Sequence, residues 1–285
     1  TSTLLLPLAS KIAGLAPSLS EVLVIDTMGP KAPQIEGLPN VQALEPLVAD
    51  ADPGAVVWGD FAETTPCGLC FTSGTTGQPK GVTYTHRVSY LHTLRQLQSD
   101  VSGLNSHDVV LPVVPMFHAN AWGLPYSAPA TGARLVFSGR QADGETLARL
   151  IIAEGVTVAV GVPTVWLDVF DYLDANGLDV PSLKRVMVGG SPMNSALMRR
   201  IEARGIAVQT TWGMTELSPL GTAAPPGDAR SPDTAGRPAL GIDLMLTDHE
   251  GEPLEKQRES EGHLWVRGPS VVERYFGQDE PATRN

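Results

Sequence analysis

Short apolar runs alternate with helix-like segments through the middle of the chain, and this alternation constrains the fold most. Strand-like runs cover residues 108–114, 156–162, 185–188 and 206–209. Between them, apolar residues recur at helical spacing in segments that end near a glycine. Because parallel strands need long crossover connections, usually helices, this order predicts an α/β fold with a doubly wound, mostly parallel sheet.

The two ends of the chain have a different texture from the middle. The first part contains a strand pattern at 21–26, a helix expected within 12–19 and a short helix near 41–49. In the last part, short strands at 242–246 and 263–266 predict a small antiparallel subdomain. We therefore expect an N-terminal α/β segment with its connection at 1–66, an α/β core at 67–218, and a small, truncated β subdomain at 219–285.

Composition excludes several classes of protein. The 285 residues are 42% hydrophobic and carry a formal charge of −11, which argues against a nucleic-acid partner. No apolar run approaches 18 residues, so no membrane span is expected. Two cysteines, Cys67 and Cys70, fit a reducing cytoplasm. A buried strand cysteine explains their spacing better than a zinc site or a redox pair.

A loop rich in hydroxyls and glycines follows the strand-like run at 68–71, and a helical pattern begins at about Thr85. We expect this loop, residues 72–81, to connect a strand to a helix. Glycine amides, hydroxyls and an ammonium group suit a polyphosphate. The candidate ligands are Thr72, Ser73, Gly74, Thr75, Thr76, Gly77 and Lys80. A Walker A loop is excluded because Lys80 lies between proline and glycine. A mobile surface turn is the alternative.

Three further polar segments follow predicted strands. They are residues 115–122, the turn Gly189-Gly190-Ser191, and the segment Thr211-Trp212-Gly213-Met214-Thr215-Glu216. Because ligands of doubly wound sheets bind beyond the carboxyl ends of strands, we expect the phosphate loop and the last two segments to meet at one edge. Ser191 is not a hydrolase nucleophile, since Met193 replaces the glycine that a nucleophile elbow needs.

The ten positions 72–81 resemble the phosphate loop of the adenylate-forming superfamily of AMP-binding enzymes, and five spaced motifs follow that family's order. The resemblance implies that Trp212 stacks on adenine, Thr215 contacts the α-phosphate and Glu216 helps to hold Mg²⁺. It places the turn Gly189-Gly190-Ser191 beside adenine and Thr211, Gly213 and Met214 in the nucleotide site. It also makes Lys80 a catalytic residue. Without the resemblance, Glu216 reads as a cap or solvated residue at a helix start.

The segment 115–122 resembles the acyl-side motif of fatty acyl-CoA synthetases. The resemblance implies that His118 lies beside the carboxylate and acyl phosphate, with a catalytic role, and that Phe117 and Trp122 contact the acyl chain. A histidine among apolar residues is otherwise an ordinary satisfied loop or core residue. Amino-acid-adenylating domains have an aspartate in this region. Here Phe117, Ala119 and Ala121 favour an apolar acid.

The resemblance is strongest to medium- and long-chain fatty-acid–CoA ligases, with this chain matching the central part of their large N-terminal domain. It implies ATP-dependent conversion of an apolar acid to an acyl-adenylate and then to acyl-CoA, with ATP, Mg²⁺ and CoA. The family's Thr-Gly-Asp segment and catalytic lysine are absent from these residues, so we expect the 285-residue chain itself to be inactive. The alternatives are an aryl-acid or amino-acid adenylation domain, or a non-catalytic nucleotide-binding module. A homodimer is one option for the assembly.

Overall fold

The computed structural model describes residues 1–26, 31–72, 78–139, 141–226 and 230–279. The chain forms two compact units, Thr1–Phe61 and Ala62–Asn285. The divisions expected from sequence, after residues 66 and 218, stay predictions. Within the described ranges, no helix combines the length and the apolar character needed to cross a membrane.

The first unit is a small α/β assembly. Its elements are the helix Leu6–Ala13, the parallel strands β1 (Val22–Val24) and β2 (Val41–Ala43), and the helix Leu44–Asp50. Leu6, Val24 and Val41 are buried in its core. The helix expected within 12–19 was misplaced, because helix formation begins at Leu6, with proline tolerated in the first turn. The helix expected near 41–49 is preceded by a strand.

The second unit begins with a two-stranded antiparallel hairpin, β3 (Pro66–Thr72) and β4 (Lys80–Thr85). The expectation that the loop at 72–81 leads directly from a strand into a helix was therefore wrong. Residues after the loop pair back onto β3, with Cys70 opposite Val82 and Thr72 opposite Lys80. The helix itself starts at His86, close to the predicted start at about Thr85. Cys70 is buried in β3, as the strand-cysteine interpretation predicts, whereas Cys67 is exposed; both thiols are free.

A seven-stranded sheet forms the centre of the second unit and confirms the predicted fold class. Its strands are β5 (Val109–Pro112), β6 (Arg134–Leu135), β7 (Val158–Gly161), β8 (Arg185–Val188), β9 (Ala207–Gly213), β10 (Leu220–Ala223) and β11 (Arg237–Pro238). Their spatial order is β11-β10-β9-β8-β7-β5-β6. Strands β5 to β9 are parallel, while β10 and β11 are antiparallel to their neighbours.

Helices cover both faces of this sheet. They are His86–Gln96, Leu124–Ala130, Gly144–Glu154, Pro163–Asn176 and Ser195–Glu202. Alternate strand residues face opposite cores, as the two-residue period of a strand requires. Val186 and Val188 pack with Trp166 and Phe170 on one face, whereas Met187 belongs to the core on the other face.

The apolar spacing of the helix His86–Gln96 predicts one buried stripe, of which Val88 and Leu97 pack against buried clusters, but the fully buried residues of the helix are polar. Val88, Leu91, Leu94 and Leu97 have the spacing of an apolar stripe, but Leu94 is 48% exposed. The buried residues are His92, Thr93, Arg95 and Gln96. Burial of polar groups is tolerated when hydrogen bonds replace those to water, and the partners here are distant backbone groups that local periodicity does not reveal.

A separate two-stranded antiparallel sheet lies near the end of the chain, formed by β12 (Asp243–Thr247) and β13 (His263–Arg267). It confirms the small antiparallel sheet predicted there. Strand β9 extends through Gly213, so Thr211 and Trp212 lie within a strand rather than after it. Thr215–Leu217 then form a short 3-10 turn.

Candidate functional site

A cavity of about 530 Å³ opens where β8 and β9 end and where the β3–β4 hairpin approaches them. Most residues predicted for the site line it. They are Thr72, Lys80, His118, Trp122, Gly189, Gly190, Thr211, Trp212, Gly213, Met214, Thr215 and Glu216. The segments after β8 and β9 meet at one sheet edge, as expected, but the hairpin reaches them from a separate sheet.

Some predicted residues have other positions. Ser191 and Phe117 do not belong to the cavity wall, and Phe117 is 82% exposed. Ser73, Gly74, Thr75, Thr76 and Gly77 lie outside the described residues. The two ends of their loop, Thr72 and Lys80, face the cavity.

A left-handed turn places His118 and Trp122 at the cavity. Ala119, Asn120, Ala121 and Trp122 all have φ between 45° and 55°, a conformation that costs about 1–2 kcal/mol per residue. The Gln96 amide donates to the Trp122 carbonyl at 3.0 Å, and the Cys70 thiol donates to Asn120 Oδ1 at 3.5 Å. These contacts hold the strained turn.

Glycines beside Trp122 permit close packing of its ring and of the His92 ring. A Cβ at Gly189 would lie 3.1 Å from Trp122 Cη2 and 2.7 Å from Thr211 Oγ1. A Cβ at Gly123 would lie 2.6 Å from His92 Cε1. The glycines at these positions therefore permit contacts closer than any other residue type allows.

The indole of Trp212 packs over a glycine of the neighbouring strand. A Cβ at Gly221 would lie 2.6 Å from Trp212 Cζ3, so β10 approaches this ring closely. The hydroxyl of Thr211 donates to the Val188 carbonyl at 3.0 Å and ties β9 to the end of β8. An aromatic ring held in this way offers a flat surface to a planar ligand.

Glu216 lies at the cavity with one oxygen already bonded. The Tyr275 hydroxyl donates to Glu216 Oε1 at 2.8 Å. Burial, together with the hydrogen bond to and the charge of Glu216, raises the pKa of Tyr275 to about 12, so the phenol keeps its proton at neutral pH. Nearby, the Tyr84 hydroxyl donates to the Thr215 carbonyl at 2.8 Å. Burial raises the pKa of Tyr84 as well.

Buried polar residues of the helix His86–Gln96 form hydrogen bonds with segments next to the cavity, including Leu220 in its wall. Arg95 donates to the carbonyls of Leu220 and Leu240 at 3.0 and 2.9 Å and also to the Ser270 hydroxyl. His92 Nε2 accepts from the Leu220 amide at 3.3 Å. Complete burial, with a smaller contribution from the charge of Arg95, lowers the pKa of His92 to about 3.

The donor set of the cavity fits a magnesium ion only when a nucleotide accompanies it. In the described part of the chain, no group of three or more His, Cys, Asp or Glu side chains could hold a metal. Glu216 offers one carboxylate at the cavity. Mg²⁺ commonly takes one or two carboxylates and completes its six ligands with phosphate oxygens and water.

The sequence reasoning missed several residues of the cavity wall, namely Gln96, Val160, Met187, Pro219, Leu220 and Tyr275. Val160 and Met187 are interior strand residues with no local signal that distinguishes them from ordinary core. Gln96 lies outside the apolar stripe of its helix and belongs to none of the motifs. Tyr275 follows Glu216 by 59 residues, and nothing in its local sequence links the two.

Comparison with known proteins gives a consistent result. The AMP-binding enzyme profile matches residues 6–276. A medium-chain-fatty-acid–CoA ligase of Ectopseudomonas oleovorans is 40% identical over 98% of this chain and 52% of its own length. A 3-methylmercaptopropionyl-CoA ligase of Ruegeria pomeroyi is 38% identical over 95% of this chain and 52% of its own.

The solved structures agree with the sequence matches. An anthranilate CoA ligase in complex with anthranoyl-AMP superposes with a TM-score of 0.82 at 25% identity, covering 97% of this chain and 52% of that one. The chain thus spans about half the length of the relatives that it matches. Since the profile match extends over nearly all of its residues, the chain belongs to the AMP-binding enzyme family.

Proposed function

We propose that this chain provides the nucleotide- and acid-binding part of an enzyme that joins an apolar carboxylic acid to CoA at the expense of ATP. The observation that carries the proposal is the single cavity shared by Lys80, Glu216 and the apolar side chains of Trp122, Val160 and Met187. The first two suit a nucleotide's phosphates with their cation, and the last three suit an acyl group.

The proposed reaction has two steps. A carboxylate oxygen of the acid attacks the α-phosphorus of ATP, and the bond to pyrophosphate breaks. The sulfur of the CoA thiolate then attacks the acyl carbon, and AMP leaves with the electrons of the acyl–oxygen bond. The thiol proton passes to solvent.

The residues of this chain contribute chiefly by positioning and by neutralising charge. Lys80, Thr72 and Thr215 face the nucleotide side of the cavity. Each hydrogen bond from such groups to a charged oxygen contributes about 1.5–3 kcal/mol. Mg²⁺, held by Glu216 and the phosphates, would draw charge toward the leaving pyrophosphate. Trp212 would stack on adenine, and His118 would lie beside the acid.

An apolar acid is favoured over an amino acid by the charges of the cavity. Among the described residues that line it, Glu216 is the only acidic side chain, and Tyr275 already bonds one of its oxygens. The described part of the cavity wall therefore offers no second carboxylate to pair a substrate ammonium. The relatives from Ectopseudomonas and Ruegeria, named for medium-chain fatty acids and 3-methylmercaptopropionate, support an apolar acid as the substrate class.

Acid-dependent exchange of labelled pyrophosphate into ATP tests the proposal. The full-length protein that contains this chain should catalyse exchange with straight-chain acids of graded length and release acyl-CoA when CoA is added. Exchange with amino acids or aryl acids alone would contradict a fatty-acid substrate and would indicate an amino-acid or aryl-acid adenylation domain. ATP binding without any exchange would instead favour a non-catalytic nucleotide-binding module.

Trp122 supplies a test of the acyl side. Because its ring lies against Gly189 at the cavity, Trp122→Ala should alter the preference for chain length in the same exchange assay. An unchanged acid profile would remove Trp122 from the acyl pocket.

A cytoplasmic location and the lack of a nucleic-acid partner are part of the same proposal. Two free thiols and few cysteines fit the cytoplasm. The formal charge of −11 argues against a nucleic-acid partner. A homodimer stays a prediction, which sedimentation velocity would check.

A further inference from the structure

Three segments far apart in sequence meet at the acidic side of the cavity. Glu216 follows β9, Lys80 begins β4, and Tyr275 lies near the end of the described chain. The Tyr275 hydroxyl donates to Glu216 Oε1 at 2.8 Å, while Lys80 Nζ lies 4.9 Å from the centroid of the Tyr275 ring. One tyrosine side chain thus contacts both charged residues of the proposed phosphate site.

The backbone around Tyr275 is fixed to the same two elements. The Val272 amide donates to the Glu216 carbonyl at 2.9 Å, and the Phe276 amide donates to the Gly81 carbonyl at 2.7 Å. Tyr275 itself forms an isolated antiparallel bridge with Val82. These bonds bracket Tyr275 on both sides, and only 7% of the residue is exposed. Its ring therefore has little freedom to leave the two charges.

The chemistry of the contact is directional. A phenol that donates to one carboxylate oxygen fixes the rotation of that carboxylate and leaves the other oxygen for a second partner. The face of an aromatic ring attracts an ammonium group within about 6 Å. Residues that hydrogen-bond a metal-binding carboxylate orient it and tune its affinity for the ion.

A neighbouring tyrosine shows what a purely structural contact is like here. The Tyr84 hydroxyl donates to a backbone carbonyl, that of Thr215, at 2.8 Å. The Tyr275 hydroxyl instead donates to a side-chain carboxylate that lines the cavity. Both phenols contact the same turn, and the Tyr275 hydroxyl is the one that donates to the carboxylate that would meet a cation.

We propose that Tyr275 is a positioning residue that aims the Glu216 carboxylate at the divalent cation accompanying the nucleotide and holds the Lys80 ammonium beside it. The inference rests on the proposed function, since that function brings a magnesium nucleotide to the cavity. It assigns a role at the nucleotide site to the segment 270–277, which the sequence motifs did not single out.

Two substitutions separate the hydroxyl from the ring. Tyr275→Phe removes the hydrogen bond to Glu216 but keeps the ring beneath Lys80. We expect it to raise the Mg²⁺ concentration needed for half-maximal ATP binding about tenfold, the lower end of the usual effect for such a partner. Tyr275→Leu also removes the ring, and it should weaken ATP binding further at saturating Mg²⁺.

ATP binding is measured by isothermal titration calorimetry on the full-length protein at a series of Mg²⁺ concentrations, with thermal unfolding of each variant alongside. Tyr172→Phe is the matched control, because the Tyr172 hydroxyl donates to Glu145 at 3.3 Å on the surface, away from the cavity. It removes the same kind of bond and should leave the Mg²⁺ dependence unchanged.

A double-mutant cycle distinguishes positioning from general damage. If Tyr275 acts through Glu216, Tyr275→Phe should produce little further change in a Glu216→Gln background. A wild-type Mg²⁺ dependence in Tyr275→Phe, or an equal shift in both backgrounds, would overturn the inference. So would ATP binding by the wild type that does not depend on Mg²⁺.

The binding experiment stands apart from the test of the proposed function. A wild type that binds ATP with Mg²⁺ but exchanges no pyrophosphate would refute the proposed ligase reaction. The role of Tyr275 would still be decided by the Mg²⁺ dependence of its variants.

Discussion

At the scale of single residues, the cavity depends on the absence of side chains at Gly189 and Gly221. The Gly189 position is crowded by Thr211 and Trp122, and Gly221 is covered by Trp212. A glycine in each place lets an indole lie directly on the backbone. Trp122 and Trp212 therefore occupy their positions because the neighbouring glycines have no side chain.

Gly189→Ala tests this point. The added methyl would lie 2.7 Å from Thr211 Oγ1 and 3.1 Å from Trp122 Cη2, and overpacking of this kind costs about 1–3 kcal/mol. If the cost falls on the ligand-bound state, pyrophosphate exchange should fall roughly ten- to a hundredfold. Steady-state kinetics of the full-length protein measures this fall in the rate of pyrophosphate exchange.

Gly68→Ala is the control, because a Cβ there has no neighbour closer than 3.8 Å. It should exchange pyrophosphate at nearly the wild-type rate. Equal losses in the two variants would show that the crowding at Gly189 is not what matters.

At the scale of elements, the helix His86–Gln96 acts as a polar brace. Arg95 bonds two carbonyls and a hydroxyl that come from Leu220, Leu240 and Ser270, segments 125 to 175 residues away. Each of the three nitrogens of this buried guanidinium donates one hydrogen bond, and these bonds fix the three segments to one helix.

Arg95→Met should therefore destabilise the second unit by about 3 kcal/mol or more, because several buried acceptors lose their donor at about 1–3 kcal/mol each. Urea denaturation measures the change. Arg149→Met is the control, since the Arg149 side chain is 66% exposed and water screens its ion pair with Glu145. Similar losses of stability in Arg95→Met and Arg149→Met would contradict this bracing role of Arg95.

His92, on the same helix, predicts a pH dependence. Burial lowers the pKa of His92 to about 3 in the folded state, below the ordinary value of 6.5. Between these two values the unfolded chain binds more protons than the folded chain, so stability is retained above pH 6.5 and lost as the pH falls toward 3.

His92→Gln keeps an acceptor for the Leu220 amide but does not titrate. Its stability should fall less steeply on acidification than that of the wild type, by up to about 1.4 kcal/mol per pH unit for one proton. Urea midpoints at pH 7, 6 and 5 provide the comparison. Parallel slopes for both proteins would show that His92 is not the group responsible.

At the scale of the whole molecule, the two units have separate cores. The buried cluster of the second unit includes Trp166, Phe170 and Leu173, whereas Leu6, Val24 and Val41 belong to the first. Each core is composed of residues from its own unit alone, so damage to one should not spread automatically to the other.

Phe170→Ala should lower the stability of the second unit by about 3–5 kcal/mol, because it removes a fully buried ring from the larger core. Hydrogen exchange followed by mass spectrometry should show faster exchange in β7, β8 and β9 and unchanged exchange in β1 and β2. Equal acceleration in both units would indicate one cooperative unit instead of two.

Strands β5, β7, β8 and β9 and the helices between β7 and β9 could be predicted from the sequence, because each is defined by the spacing of its own apolar residues. Arg185–Val188 was predicted with its bounds unchanged, and the helix from Pro163 ends beside Gly177, as expected. The residues from Trp212 to Glu216 were also expected at the ligand edge of the sheet, and they line the cavity, although β9 extends through Gly213.

Local spacing was misleading where long-range contacts replaced it. The leucines of the helix His86–Gln96 suggested an apolar face, yet the helix buries Arg95 and His92 because their partners come from distant strands. The residues after the phosphate loop had a helical pattern nearby, yet they extend along β3 because the hairpin supplies their hydrogen bonds.

The sequence by itself determined four parallel strands of the main sheet with their later helices, the family resemblance and most of the residues around the cavity. Only the tertiary structure decided that Tyr275 meets Glu216 and Lys80, and that Phe117 faces away. The physical reason is that spacing along the chain encodes local periodicity, whereas a hydrogen bond between residues 59 positions apart depends on how the elements pack.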